Sequence, residues 1–474
     1  MMKKFILLLL VFMLSKAIFP QSCLPQGITF TNQLQVNNFQ NNYPNCNIIE
    51  GDVTIHSSSI NNLLGLSTII SIQGNFTILL NHKLKDFQGL NNLVDVGGYM
   101  EIYGNDSIVN MSGFTNLESI GATLQVFNNP NLVNFQGFDN LNSVSGLWIG
   151  DYELYGNKSM INLAGFDNID SLGFLHLEAN DKLSSLNGLD NLEFINDLSI
   201  FYCNSLDSIT ELGNLRKIEG ELMLWMNNSL VSLKGLDSIV RINGGIKISE
   251  NNNLHNLLGL GNLTTVNGYM EIANNFNIDD LSGLENLDSI NGFLDLYGNR
   301  HLVTLSGLQS LKFINGRLRI FNNKDLLSLT GIDSVGVDSL TSLSVFDNPL
   351  LSECSVASVC NYLSIPDGLT NISDNNTGCN SNEEVNTACI LVTGENLYQN
   401  ALTISPNPFR SSIQIINKNS LSIKSISITN FVGEKIIETN GPADKLNLSI
   451  LSPGVYIINI QTHQANFKQK LIKQ

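Results

Sequence analysis

Between Val53 and Asn348 the chain repeats one pattern of apolar and polar positions thirteen times, apolar-x-apolar-x-x-Asn, as in Leu294-Asp-Leu296-Tyr-Gly-Asn299. The two-residue spacing predicts a strand. Leu294 and Leu296 fall on one side of it and Phe293, Asp295 and Tyr297 on the other, because side chains alternate along a pleated chain. Ahead of the strand the spacing is three, as in Leu281, Leu284, Leu287 and Ile290. Gly and Asn recur there too often for a helix of ordinary length, so that stretch predicts tight bends or a single 3₁₀-like turn. The position closing each strand is Ser58, Asn81, Asn105, Asn129, Asn157, Asn180, Cys203, Asn227, Asn251, Asn275, Asn299, Asn323 and Asn348, at spacings of 23 to 25 residues with one of 28. A repeat of that period predicts an all-β solenoid whose coils are stable only when stacked on their neighbours.

Two residue types mark fixed points of the coil. Gly65, Gly89, Gly113, Gly137, Gly165, Gly188, Gly235, Gly259, Gly283, Gly307 and Gly331 recur before an apolar residue, with Glu211 the one substitute, and predict corners. The Asn position predicts a carboxamide ladder that bonds backbone groups the turn would otherwise bury unpaired. Cys203 is expected to be structural there, since leucine-rich patterns accept Cys as well as Asn. The 28-residue spacing places an insertion around Leu147-Trp148-Ile149-Gly150, ahead of a fifth strand that ends at Tyr155, as either a ligand-contacting loop or a folded-back turn.

The ends of the chain differ from its middle. Lys3, Lys4, the apolar run from Phe5 to Leu14 and the stretch to Ser22 predict a secretory signal peptide, too short to span a bilayer, and no other run is long enough for a transmembrane helix. The expected organisation is a signal peptide at 1–22, an N-terminal cap at 23–52, about thirteen coils at 53–350, a Cys-rich cap at 351–390, a linker at 391–401 and a second domain at 402–474. Cys23 with Cys46 suggests a disulfide closing the first cap in an oxidising compartment; acylation of Cys23 is the weaker alternative, because Pro20-Gln21-Ser22 lacks the usual Leu and small-residue run. Cys354, Cys360, Cys379 and Cys389 allow three pairings, of which Cys354 with Cys379 and Cys360 with Cys389 is favoured, though sequence alone leaves it open.

Charge divides the chain. Residues 402–474 carry eight Lys and Arg against three Asp and Glu, and residues 1–22 carry three Lys, so the part between holds a net −25 of the −17 total. A surface so acidic repels phosphate backbones and argues against nucleic acid as partner.

The segment Asn45-Cys46-Asn-Ile-Ile-Glu50-Gly51-Asp-Val53-Thr-Ile55 and the recurrent L-x-G-L-x-N-L-x-x-I-x-G-x-L-x-I-x-x-N along residues 45–350 resemble receptor L domains. The resemblance implies a right-handed leucine-rich β-solenoid, and the family binds peptide hormones through surface residues that cannot be aligned here. The tail carries Ile404-Ser-Pro406-Asn407-Pro408-Phe409, then Phe431-Val-Gly433-Glu-Lys435, then Leu451-Ser-Pro-Gly454-Val-Tyr456-Ile, and ends Phe467-Lys468-Gln-Lys470-Leu-Ile-Lys473-Gln474. In kind and order these resemble the type A C-terminal sorting domain of the type IX secretion system of Bacteroidota. That resemblance implies a small Ig-like β-sandwich, the type IX machinery as partner, display at the cell surface, and a tail usually removed with the cargo often joined to surface lipopolysaccharide. The order Gly433-Glu-Lys435 departs slightly from the family's usual Gly-Lys. Alternating runs such as Ser412 to Ile416, Ile423 to Ile428 and Val455 to Ile460 independently predict the strands a sandwich needs.

The outward position after the second apolar residue reads His56, Leu79, Tyr103, Phe127, Tyr155, Glu178, Phe201, Trp225, Ser249, Ala273, Tyr297, Phe321 and Phe346. Eight of thirteen are aromatic, where the chain's 8% aromatic content gives about one by chance, so something selects rings there. Either they form a face that binds an extracellular protein or glycan, or they pack as a cross-strand ladder that stabilises an exposed sheet; the two are compatible. The middle outward row runs Thr54, Thr77, Glu101, Gln125, Glu153, His176, Ser199, Met223, Lys247, Glu271, Asp295, Arg319 and Ser344. Glu271, Asp295 and Arg319, with Lys247 and Arg317, would lie within a few strands, and paired carboxylates support glycoside hydrolysis; alternating charges solvating a sheet face are the plainer account. Asp-Ser-apolar triplets at Asp106, Asp207, Asp237 and Asp288 resemble an O-glycosylation signal, three of them at one point of the repeat, which the repeat itself explains first. No H-E-x-x-H, G-x-S-x-G, P-loop or helix-opening G-x-G-x-x-G is present, and neither metal nor cofactor is expected. The expected function is noncatalytic binding or adhesion, with a polysaccharide-active enzyme or a structural envelope component as alternatives.

Overall fold

The computed structural model describes residues 21–151, 155–389, 402–417, 422–430, 434–462 and 466–474. It divides into two compact units, Met1–Arg300 and His301–Gln474.

In the first unit the chain winds as a parallel β-solenoid. Strands Val53–Ile55, Phe76–Leu79, Met100–Tyr103 and Ser119–Phe127 pair in parallel, and the stacking continues through Leu222–Trp225, Ile246–Ser249, Met270–Ala273 and Leu294–Tyr297. A narrower row of two-residue strands, among them Asp95–Val96, Lys217–Ile218, Arg241–Ile242 and Thr265–Val266, runs one turn earlier in each coil. In Ser119–Phe127, Ser143–Ile149, Ser171–Glu178 and Phe194–Phe201 the two runs fuse into one longer strand. The apolar positions of the repeat point inward and are buried, and Phe76, Phe87, Phe114, Phe135, Phe138 and Phe166 fill the coils between 76 and 166, neighbouring ring centroids lying 4.5 to 6.4 Å apart.

The corner glycines are required by geometry. Gly235 has φ +117°, and a Cβ there would lie 2.0 Å from the Ile209 carbonyl oxygen. Two coils turn differently, through 3₁₀ turns at Leu64–Leu66 and Thr210–Asn214, and the second is where Glu211 replaces glycine.

Inside the following turn runs the Asn ladder. Asn105 shows the pattern: its Oδ1 accepts from the Asn81 backbone N–H at 3.1 Å, and its Nδ2 donates to Ile78 O at 2.9 Å and Tyr103 O at 3.1 Å. Asn129 and Asn251 repeat all three bonds, and Asn157, Asn180, Asn227, Asn275 and Asn299 likewise donate to a preceding-coil carbonyl. Cys203 is buried; its backbone N–H still donates to Asn227 Oδ1 and its sulfur accepts from the Asn180 backbone N–H, but the thiol lies against Phe201 O of its own coil at 3.5 Å and puts no donor on a carbonyl of the preceding coil. In most coils the residue before the ladder position is left-handed, including Leu80 (φ +54°), Tyr202 (+54°) and Met226 (+56°), a conformation costing about 1–2 kcal/mol for a residue with a Cβ.

Parallel strands also lie outside the thirteen-fold repeat. Ile28–Phe30 pairs with Val53–Ile55, and Gln21–Cys23 pairs with Cys46–Ile49 beside a Cys23–Cys46 disulfide, Cα atoms 5.6 Å apart. In the second unit, Gly316–Phe321, Leu340–Phe346 and Thr370–Ser373 pair in parallel. Within this unit Asn323, Asn348 and Asn375 form the same kind of ladder, Asn348 Oδ1 accepting from the Asn323 N–H at 3.0 Å and Asn375 Oδ1 from the Asn348 N–H at 3.1 Å. The helix Ala357–Leu363 lies in this region, and disulfides join Cys354 to Cys379 and Cys360 to Cys389.

The tail forms two antiparallel sheets. One contains Leu402–Ser405, Ser412–Asn417 and Lys445–Asn447; the other contains Ile423–Asn430, Lys435–Asn440, Gly454–Thr462 and Asn466–Lys473. Both contribute to one core that includes Ile404, Phe409, Ile413, Ile426, Ile458 and Leu471.

Candidate binding face

Outward side chains of the first unit lie in three rows, because register is kept from strand to strand. Leu79, Tyr103 and Phe127 align, and so do Glu178, Phe201, Trp225, Ser249, Ala273 and Tyr297.

The fifth strand falls elsewhere than the sequence motif suggested. It is Ser143–Ile149, with Leu147, Trp148 and Ile149 aligned to Leu124, Gln125 and Val126 on one side and to Leu175, His176 and Leu177 on the other. Tyr152-Glu-Leu154 satisfies the same apolar alternation, but Leu147 keeps the coil at its usual length, so the extra residues follow the strand. Trp148 therefore occupies the middle row, and Glu153 lies outside the described residues. Tyr155 sits past the strand, 43% exposed; its carbonyl accepts from the Asn128 N–H, and its ring lies 6.3 Å from that of Tyr103.

With Trp148 in place the rings form a continuous run that crosses between rows. Phe127, Trp148, His176, Phe201 and Trp225 follow one another at centroid distances of 5.8, 5.4, 5.2 and 5.9 Å, every pair edge to face, and Tyr202 meets Trp225 at 5.1 Å. Edge-to-face contact satisfies the ring quadrupoles while leaving ring faces unstacked. Carboxylates hold the polar atoms: Glu178 pairs with His176 Nε2 at 2.9 Å, and Glu250 accepts from the Trp225 indole N–H at 3.2 Å.

Towards the end of this unit the face changes character. Tyr269 and Phe293, from the outward row before the first inward apolar residue, stack at 5.1 Å and 13°. The Tyr269 ring covers Gly245, where a Cβ would lie 2.3 Å from it, and in the same row the Phe174 ring covers Gly146. This row's aromatic residues were absent from the sequence candidates; the signal was the position before the first apolar residue, where glycine in one coil precedes a ring in the next. Burial, and then the carboxylates of Glu221 and Glu271, push the Tyr269 phenol up to about 12. Lys247 pairs with Glu271 at 3.1 Å, and the Tyr297 hydroxyl donates to Glu271 at 3.2 Å. Asp295, aligned with Glu271, is fully buried. In the second unit Phe321 and Phe346 stack at 4.8 Å and 7°, with the Arg319 guanidinium 5.6 Å from the Phe321 centroid.

In the tail, Asn407 joins the first and last sorting signals: its Nδ2 donates to Lys470 O at 2.7 Å, and its Oδ1 accepts from the Ile472 N–H at 2.9 Å. Pro406 and Pro408 flank it, Phe409 is in the core beneath Lys473 Nζ at 5.4 Å, and the Tyr456 hydroxyl, two residues after Gly454, donates to Ser452 O at 2.8 Å. Gly433 lies outside the described residues. Among the described residues no three His, Cys, Asp or Glu side chains are grouped to hold a metal ion, and no helix is long and apolar enough to cross a membrane.

Residues 240–333 match the family model of the receptor L domain. Residues 403–474 match that of the secretion system C-terminal sorting domain. No curated protein matches the chain. Residues 240–333 of the β-solenoid are thus of receptor L-domain type, and the type IX sorting domain at 403–474 marks the protein for export to the cell or outer-membrane surface.

Proposed function

We propose that this exported solenoid is a noncatalytic recognition or adhesion protein that holds an extracellular protein or glycan on its outward sheet face. The observation that carries the reading is the half-exposed run from Phe127 to Trp225, whose ring faces are not stacked against one another. Aromatic anchors in a continuous patch are what recognition surfaces use. Phe201→Ala combined with Trp225→Ala, with fold checked by circular dichroism, is expected to abolish saturable binding of the secreted protein to an array of extracellular proteins and polysaccharides. Unchanged binding by the variant would remove the face from the reading, and a blank array for both proteins would favour a structural envelope role.

The polysaccharide-active alternative rests on the alignment of Glu271 with Asp295. Against it, Glu271 is engaged by Lys247 and Tyr297, and buried Asp295 has no route to a sugar on the face. Release of reducing ends from a polysaccharide panel, lost in Glu271→Gln, would reinstate it. For the tail, the proposal is that residues 402–474 are removed after export and the solenoid stays joined to lipopolysaccharide; intact mass of the surface form tests both.

A further inference from the structure

Resting on that binding-face reading, we infer that the occupant of the aromatic run is a basic polypeptide segment whose Lys or Arg side chains lie across the rings of Phe201, Tyr202 and Trp225. Charge complementarity selects this partner. On the strands and turns that carry the run and continue it, the carboxylates of Asp197, Glu221, Glu250 and Glu271 are exposed or half-exposed beside the ammonium of Lys247. That ammonium is already matched by Glu271 at 3.1 Å, so the face keeps an excess of negative charge beside its rings. A neutral glycan gives those carboxylates no charge to meet, and an anionic one is repelled.

The local chemistry agrees. Three half-buried rings meet where Trp225 contacts Phe201 at 5.9 Å and 76° and Tyr202 at 5.1 Å and 61°, forming a corner. The Glu250 carboxylate accepts the indole N–H and places its charge at the rim of that corner. A cation over the indole face gains from the ring quadrupole, Trp being the best of the aromatic residues for this, and gains again from the adjacent carboxylate. The net −25 of residues 23–401 draws a basic segment in over longer distances, and salt weakens that attraction.

The chain's two tryptophans, Trp148 and Trp225, both lie in the run, so intrinsic fluorescence reports on this face. The intact secreted protein is titrated at physiological ionic strength with an oligo-arginine peptide and, separately, with a neutral β-linked glucose oligosaccharide. The expected result is a saturable emission change with the peptide alone. Trp225→Phe, which keeps a ring, and Glu250→Gln, which keeps the shape, should each weaken binding roughly tenfold, for the first a loss between that of an exposed and of a fully desolvated cation–π contact. Peptide binding of wild-type strength in both variants would mean diffuse attraction to the acidic surface and would overturn the inference. A response to the oligosaccharide alone would also overturn it while leaving the binding face intact. Silence with both probes overturns it too, and the array then decides the broader reading.

Discussion

Cys203 tests the ladder at a single residue. Asn at this position would return a bond to the preceding coil, as Asn227 does to Ile200 O at 2.8 Å. Cys203→Asn should therefore raise stability by about 1 kcal/mol, the net value of one intramolecular hydrogen bond, measured by chemical denaturation. The comparison should also depend on pH. Burial pushes the thiol from 9.0 up to about 12, so between those values the unfolded chain releases the proton while the folded chain keeps it. The stability this protonated thiol shares with the fold is present below about 9 and is lost as pH rises towards 12, so the advantage of the Asn variant should widen across that window. The opposite sign is expected at Gly235, where alanine sets a Cβ against the Ile209 carbonyl in a left-handed backbone. Gly235→Ala should cost about 2 kcal/mol or more; a neutral outcome would show that the corner relaxes freely.

Within the sheet, the aromatic run gives stability as well as surface. A double-mutant cycle on Phe201 and Trp225 should return a coupling of about 0.5–1.5 kcal/mol, the usual value of an edge-to-face pair. Zero coupling would mean that their 5.9 Å approach follows from strand register without adding to it. The strands themselves were legible because Leu294-x-Leu296 and its equivalents carry an uninterrupted period of two. The fifth was misplaced because two candidates satisfied that period, and only the pairing of Leu147 with Leu124 and Leu175 chooses between them. The terminal strands were missed for a related reason. Thr370-Asn-Ile372-Ser-Asp-Asn375 has Thr at the first inward position, so the motif is broken although the ladder bond from Asn348 to Asn375 is kept. The site was harder to read than the fold. Outward positions carry no burial constraint, so sequence could mark the enriched row of Phe201, Trp225 and Tyr297 but not the diagonal contacts through Trp148 and His176 that join rows into one run.

For the molecule as a whole, the same export route that the tail provides sets the conditions the solenoid must survive. Three disulfides lie outside the thirteen-fold repeat, at Cys23–Cys46, Cys354–Cys379 and Cys360–Cys389, where end coils have a neighbour on one side only. Bridges there belong to an oxidising compartment, consistent with folding after passage through the inner membrane. The coils from Val53 to Tyr297 bury apolar residues of their own, and the tail has a core built from Ile404, Phe409, Ile426 and Leu471. Deleting residues 402–474 should accordingly give a folded solenoid that accumulates in the periplasm, with the thermal transition of the coils preserved. Asn407→Ala tests the signal more finely, because it removes the two bonds that tie the first sorting motif to Lys470 and Ile472. It should lower surface display while leaving the solenoid folded. Normal display of the deletion, measured by protease accessibility on whole cells, would refute the tail as the export signal; loss of the folded solenoid from the periplasm would instead show that the two cores depend on each other.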